Sequence, residues 1–106
     1  HRLTPSWVES VVTWLRDDGA AWSTPGGDFL STPTASTPTG VTAPAVLHWN
    51  VASDVADFVA GVAPNNGWIV KDAAEGSGGI EFQFASRENG TVANRPQLMV
   101  TFTACP

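Results

Sequence analysis

The stretch IEFQFASRENGTVANRPQLMVTFT (80–103) decides how the fold of this chain is read. Its first seven residues alternate, with Ile80, Phe82 and Phe84 on one side and Glu81, Gln83 and Ala85 on the other. Its last seven alternate again, Leu98, Val100 and Phe102 against Met99, Thr101 and Thr103. Side chains of an extended chain point to opposite faces in turn, so a period of two predicts strands with one face buried. Between the runs lies Asn89-Gly90, a favoured turn pair.

WIVKD (68–72), AVLHWN (45–50) and WVESVVTW (7–14) read as further strands. AAEGSGG (73–79) reads as a loop; its EGSGG part lacks the Lys-Ser/Thr of a phosphate loop. The long segment from 15 to 45 is rich in Ser, Thr, Pro and Gly, which sustains neither a long helix nor a central strand. It reads as a surface loop with a short strand around Phe29-Leu30. Only VASDVADFVAG (51–61) has a helical period: Val51, Val55, Phe58 and Val59 share a face. Asn50 or Ser53 is its expected cap and Gly61 its stop. Asp54 and Asp57 then fall on the outward side, as acids complementing the helix dipole. Many short strands with Gly/Pro-rich turns predict an all-β fold, an antiparallel jelly-roll-type β-sandwich with one short helix and long polar loops.

Composition narrows the function. At 106 residues the chain has the size of a single domain, 1–106. Charged residues are only 14%, against about 25% in an average domain. Surfaces so rich in Thr, Ser and Gly are common outside the cell. The net charge is −5, and Arg2, Arg16, Lys71, Arg87 and Arg95 are scattered. Nucleic-acid binding needs clustered cations, so it is not expected. No apolar run reaches the ~20 residues that span a bilayer. Cys105, the one cysteine, permits no intrachain disulfide and is left to pair with another chain or to sit as a spectator.

Four spaced blocks bear a family likeness. WVESVVTW, the Trp49-Asn50-Val51 entry to the helix with Asp54-Val55, NNGWIVKD (65–72) and FASRENGTVANRPQLMVTFT (84–103) together resemble DNRLRE-type domains. These are jelly-roll β-sandwiches related to family-96 carbohydrate-binding modules, found in secreted and cell-surface proteins of bacteria and archaea. The resemblance spans roughly residues 1–103. It implies a non-catalytic extracellular module for carbohydrate binding or cell-surface attachment. Such domains carry several strands before the HRLT block, and this chain does not. The expectation is therefore the C-terminal portion of a larger domain. The alternative function is a structural subunit of a surface fibre, completed by strands from a partner protein or another copy, because an unpaired edge invites pairing.

Candidate site residues follow from side-chain chemistry. Trp7 and Trp14 read as core fillers, since burial of an indole dominates its energetics. Trp49 and Trp68 read as core or core rim. Trp22 sits among small and turn residues, so it divides between a loop anchor and a platform for a sugar ring. With Asp28 and Arg87 it forms the expected ligand-binding set, the arginine suited to an acidic sugar. Asn89-Gly90-Thr91 also fits a glycosylation sequon. Asp17 and Asp18 read as a solvated turn. No cofactor is firmly implied, although calcium held across loops remains open. His1 with His48 raises a copper brace, against which His48 alternates with Leu47 and Trp49 as a structural histidine would. No Ser-His-Asp set or tuned carboxylate pair is present, so no enzyme activity is expected.

Overall fold

The computed structural model describes residues 1–40, 45–75 and 81–104. It divides into two compact units, His1–Asp72 and Ala73–Pro106. The expected jelly-roll β-sandwich is not found: among the described residues no strand forms. The described residues hold one helix, α1 (Ala52–Val59), one 3₁₀ turn (Val92–Asn94) and three isolated antiparallel bridges.

The first unit is organised around its N-terminal segment. Residues 1–4 run between two other extended segments. On one side Leu3 N–H donates to Gly67 O (3.0 Å) and Ile69 N–H to His1 O (2.9 Å). On the other, Thr4 N–H donates to Asp28 O (3.1 Å) and Leu30 N–H to Arg2 O (3.0 Å). The bridges Arg2↔Trp68 and Leu3↔Phe29 record this ribbon. Phe29 thus pairs where a short strand was expected, although the pairing does not extend. Successive side chains leave the ribbon on opposite faces. Leu3 is buried near Ile69, while Arg2 and Trp68 turn to α1.

The helix forms where its period predicted. Asn50 Oδ1 accepts the Ala52 N–H (3.0 Å), occupying one of the free amides of the first turn. Its end is a Schellman arrangement: Gly61 N–H donates to Phe58 O (3.2 Å) and Val62 N–H to Asp57 O (2.9 Å). Gly61 holds φ +69, the left-handed conformation that a Cβ disfavours. The buried face is rotated from the expected one. Val59 is 84% exposed, while Asp54, expected outward, is the buried residue of the helix. A partnered carboxylate has replaced an apolar contact.

The other expected strands fail for identifiable reasons. In WVESVVTW the apolar residues fall at 7, 8, 11, 12 and 14, a spacing nearer three to four than two. The chain turns there: Val11 and Val12 N–H both donate to Val8 O (3.1 and 2.8 Å). Residues 45–50 and 68–72 carry no ladder beyond Arg2↔Trp68, and Val46 and Val70 are exposed. In the second unit the period-two runs bury neither face. Phe82 and Phe84 are exposed, Met99 is 86% and Phe102 80% exposed, and Leu98 and Val100 lie in the open too. Ile80 lies outside the described residues. Two short runs that gain no further apolar layer among the described residues cannot stabilise a ladder, because an isolated two-stranded pair is marginal in water.

Within the first unit, Leu3 and Trp22 are the buried apolar side chains among the described residues. Trp22 is 8% exposed and its Nε1–H donates to Thr13 O (2.9 Å). It anchors a compact fold of the 13–30 segment. There Arg16↔Ala21 closes a turn through Gly19 (φ +115). Trp14 lies over Gly26, where a Cβ would come within 2.7 Å of Trp14 Cη2. Gly26 also holds φ +97, so two constraints require glycine there.

Candidate functional site

Of the two readings of Trp22 the structure takes the loop anchor, whereas the pair expected in the core lies outside it. Trp22 is buried, because its small neighbours leave a space in the loop that the indole fills. Trp7 and Trp14, read as core, are exposed. The spacing of WVESVVTW, too irregular for a strand, was the one signal in the sequence that these rings lack a common buried face.

Trp7 forms the wall of an open cleft of ≈ 310 Å³ lined by Ser6, Trp7, Asn65, Asn66 and Gly67. The residue is 39% exposed, yet its ring is held: Nε1–H donates to Asn66 O (2.8 Å). Asn66 is held in turn, its Nδ2 donating to Thr4 O (2.8 Å). Gly67 N–H donates to Asn65 Oδ1 (3.1 Å), and Gly67 adopts φ +76. Gly67 O then receives Leu3 N–H, which ties this turn to the ribbon.

What remains available in the cleft is specific. Asn65 Nδ2 offers donors, Asn66 Oδ1 an acceptor, and the Ser6 hydroxyl either role. None of these atoms has a hydrogen-bond partner among the described residues. None of the five lining residues carries a charge. One held indole face beside neutral donors and acceptors suits a ligand with an apolar face and a hydroxylated rim.

The expected ligand set is placed differently. The Asp28 carboxylate is occupied by its own loop, accepting Ser23 N–H (2.7 Å) and Thr24 N–H (2.9 Å). The Ser23 amide bond holds this carboxyl below its usual range, against a smaller opposing effect of burial, with Thr24 adding to the lowering. Trp22 and Asp28 therefore belong to one loop, 13–30, where both are structural. Arg87 lies in the second unit, exposed and paired with Glu88 (3.2 Å).

A densely connected polar group is Asp54. Its Oδ2 accepts Thr34 Oγ1–H (2.6 Å) and Trp68 Nε1–H (2.7 Å), and its Oδ1 faces Arg2 Nη1 (3.4 Å). Arg2 Nη1 also reaches Asp57 Oδ2 (3.0 Å). The Phe58 ring packs against Trp68 at 5.6 Å between centroids. Burial alone would raise the Asp54 pKa; the hydrogen bonds from Thr34 and Trp68 and the Arg2 charge outweigh it, and the group is held low. An ionised carboxylate with three donors is a fastener rather than an acid–base catalyst.

The copper brace is not assembled. His1 Nδ1–H donates to Leu30 O (2.8 Å) and the His1 nitrogen donates to Ile69 O (3.1 Å), so neither presents a lone pair. Asp17 and Asp18 cap their own turn through Asp18 N–H and Ala20 N–H. Among the described residues no group of three or more His, Cys, Asp or Glu could hold a metal ion. Among them, too, no helix is long and apolar enough to cross a membrane. Cys105 lies outside the described residues. No family model, no curated protein and no solved structure matches this chain.

Proposed function

We propose that this chain is a non-catalytic extracellular module that binds a neutral carbohydrate, with Trp7 as its stacking surface and Asn65, Asn66 and Ser6 as its hydrogen-bonding groups. One observation carries this reading: a held, exposed indole on an open cleft whose remaining polar atoms are uncharged donors and acceptors. Pyranose rings present C–H faces that lie on an indole and hydroxyls that exchange hydrogen bonds with amides. An acidic glycan would find no cation among the lining residues. The blocks that resemble DNRLRE-type domains support the same function, without the fold those domains have.

The test is a glycan panel probed with the intact chain, followed by Trp7→Ala and Trp22→Ala. A neutral polysaccharide is expected to bind, and Trp7→Ala to weaken binding about ten-fold or more, equivalent to ~1.4 kcal/mol. Its unfolding midpoint should stay near that of the parent chain. Trp22→Ala should instead lower stability by about 3 kcal/mol through the cavity it leaves. Binding that survives Trp7→Ala, or a preference for acidic polymers, overturns the assignment.

A second reading, a structural subunit completed by another chain, is favoured by residues 97–103. Their apolar side chains are exposed and their backbone makes no hydrogen bond to a described residue. A segment whose backbone is unpaired in this way can accept a strand from another chain. A native mass above that of the single chain, with hydrogen-exchange protection confined to 97–103, would favour it.

A further inference from the structure

Two Asn-Gly pairs occur in the chain, Asn66-Gly67 in the cleft and Asn89-Gly90 in the second unit. Their surroundings differ in a way that bears on chemistry. We infer that Asn89 is a site of spontaneous covalent self-modification, in which the Gly90 amide nitrogen attacks the Asn89 side-chain carbonyl to give a succinimide, and that Asn66 is protected from the same reaction.

The reaction needs three things. Gly90 N must give up its proton to solvent, the resulting anion must form a bond to Cγ of Asn89, and the Cγ–Nδ2 bond must break with loss of ammonia. Water then opens the ring to aspartate or isoaspartate. Glycine at the second position leaves no side chain in the path of attack.

At Asn89 the surroundings favour each charge that develops. The anion formed at Gly90 N is shared with Asn89 O through the peptide bond, and Arg95 Nε–H donates to that oxygen (2.8 Å). A guanidinium on the oxygen is a charge-assisted bond to the developing anion. Asn89 Oδ1 accepts Thr91 N–H (2.9 Å), so the oxygen that takes the negative charge after attack already has a donor. That bond folds the side chain along the Gly90 peptide, as in an Asx turn. The Gly90 N–H has no hydrogen-bond partner among the described residues, so its proton is accessible.

At Asn66 each of these features is absent or opposed. Gly67 N–H is committed to Asn65 Oδ1, and Asn66 Nδ2 is fixed on Thr4 O. The donor on Asn66 O is the neutral Trp7 indole rather than a cation. The chain therefore carries an internal control. The product adds one negative charge to a molecule already at −5 and removes the asparagine of the Asn89-Gly90-Thr91 sequon, so modification and glycosylation exclude each other.

The experiment is peptide mapping by mass spectrometry of the folded chain after timed incubation in mildly alkaline buffer, with isoaspartate distinguished by fragmentation. Asn89 is expected to convert at least five-fold faster than Asn66. Arg95→Gln should slow Asn89 about ten-fold, and Arg95→Lys should restore only part of the rate, because the bond to Asn89 O is directional. Unfolding in urea should remove most of the difference between the two sites. The circular dichroism of each variant checks that the fold is retained; if Arg95→Gln perturbs it, the Asn89-to-Asn66 ratio in the unaltered chain decides. Conversion of Asn66 as fast as Asn89, no conversion at Asn89, or a rate indifferent to Arg95 overturns the inference.

Discussion

Replacing Asp54 should remove the fastener that joins α1 to the ribbon and to the 31–40 segment. Three donors converge on its carboxylate: Thr34 Oγ1 at 2.6 Å, Trp68 Nε1 at 2.7 Å and Arg2 Nη1 at 3.4 Å. Asp54→Ala leaves the Thr34 and Trp68 donors without their acceptor, each costing about 1–3 kcal/mol where water cannot substitute. Arg2 is not orphaned, since Asp57 still faces it at 3.0 Å. The net expectation is about 3 kcal/mol, below the upper end for a broken buried ion pair because the cation retains a partner. Asp54→Asn keeps one acceptor and should cost about half as much. Asp57→Asn is the control: its side chain is 44% exposed, and the loss should stay under ~1 kcal/mol.

Urea unfolding followed by tryptophan fluorescence measures these differences as shifts in midpoint. The pH dependence adds a second readout. Because the folded pKa of Asp54 is lowered, its contribution is present above the ordinary carboxylate range and is lost as pH falls through the lowered value. The Asp54→Asn chain should lack that acid-side slope. A loss below 1 kcal/mol for Asp54→Ala, or one no larger than for Asp57→Asn, would refute the fastener role.

Further tests address the 13–30 loop. Gly26→Ala places a Cβ 2.7 Å from Trp14 Cη2 at φ +97, and should cost about 1–3 kcal/mol with a change in Trp14 emission; an effect of a few tenths would show that the ring simply moves aside. Asp28→Asn removes a carboxylate held low chiefly by the Ser23 amide, so the parent loop should lose protection as pH falls through that lowered value and the variant should not. Amide exchange at Ser23 and Thr24 reads this directly, and equal protection in both chains would sink the idea.

Local features were legible in the sequence, and partnered ones were not. The helix at 52–59, its stop at Gly61 and the turn at Asp17–Ala20 follow from spacing and from residues that favour one backbone conformation. They need only neighbours along the chain, which the sequence names. Alternation at 80–86 and 97–103 was equally plain, yet a strand exists only beside another, and no pattern within a run says whether a partner is present. The burial of Trp22 and the exposure of Trp7 have the same origin. An indole is equally apolar in either place, and the available space decides which one is buried. Trp22 fell into a loop of small residues that closes around Asp28, whereas Trp7 met an asparagine turn from sixty residues away that took its N–H and left its face open. Asp54 reverses the expected polarity of its helix because Arg2, Thr34 and Trp68 arrive from three separate segments. Sequence alone determined where the backbone turns and coils; the tertiary structure decided which faces are covered, because burial depends on contacts between residues far apart along the chain.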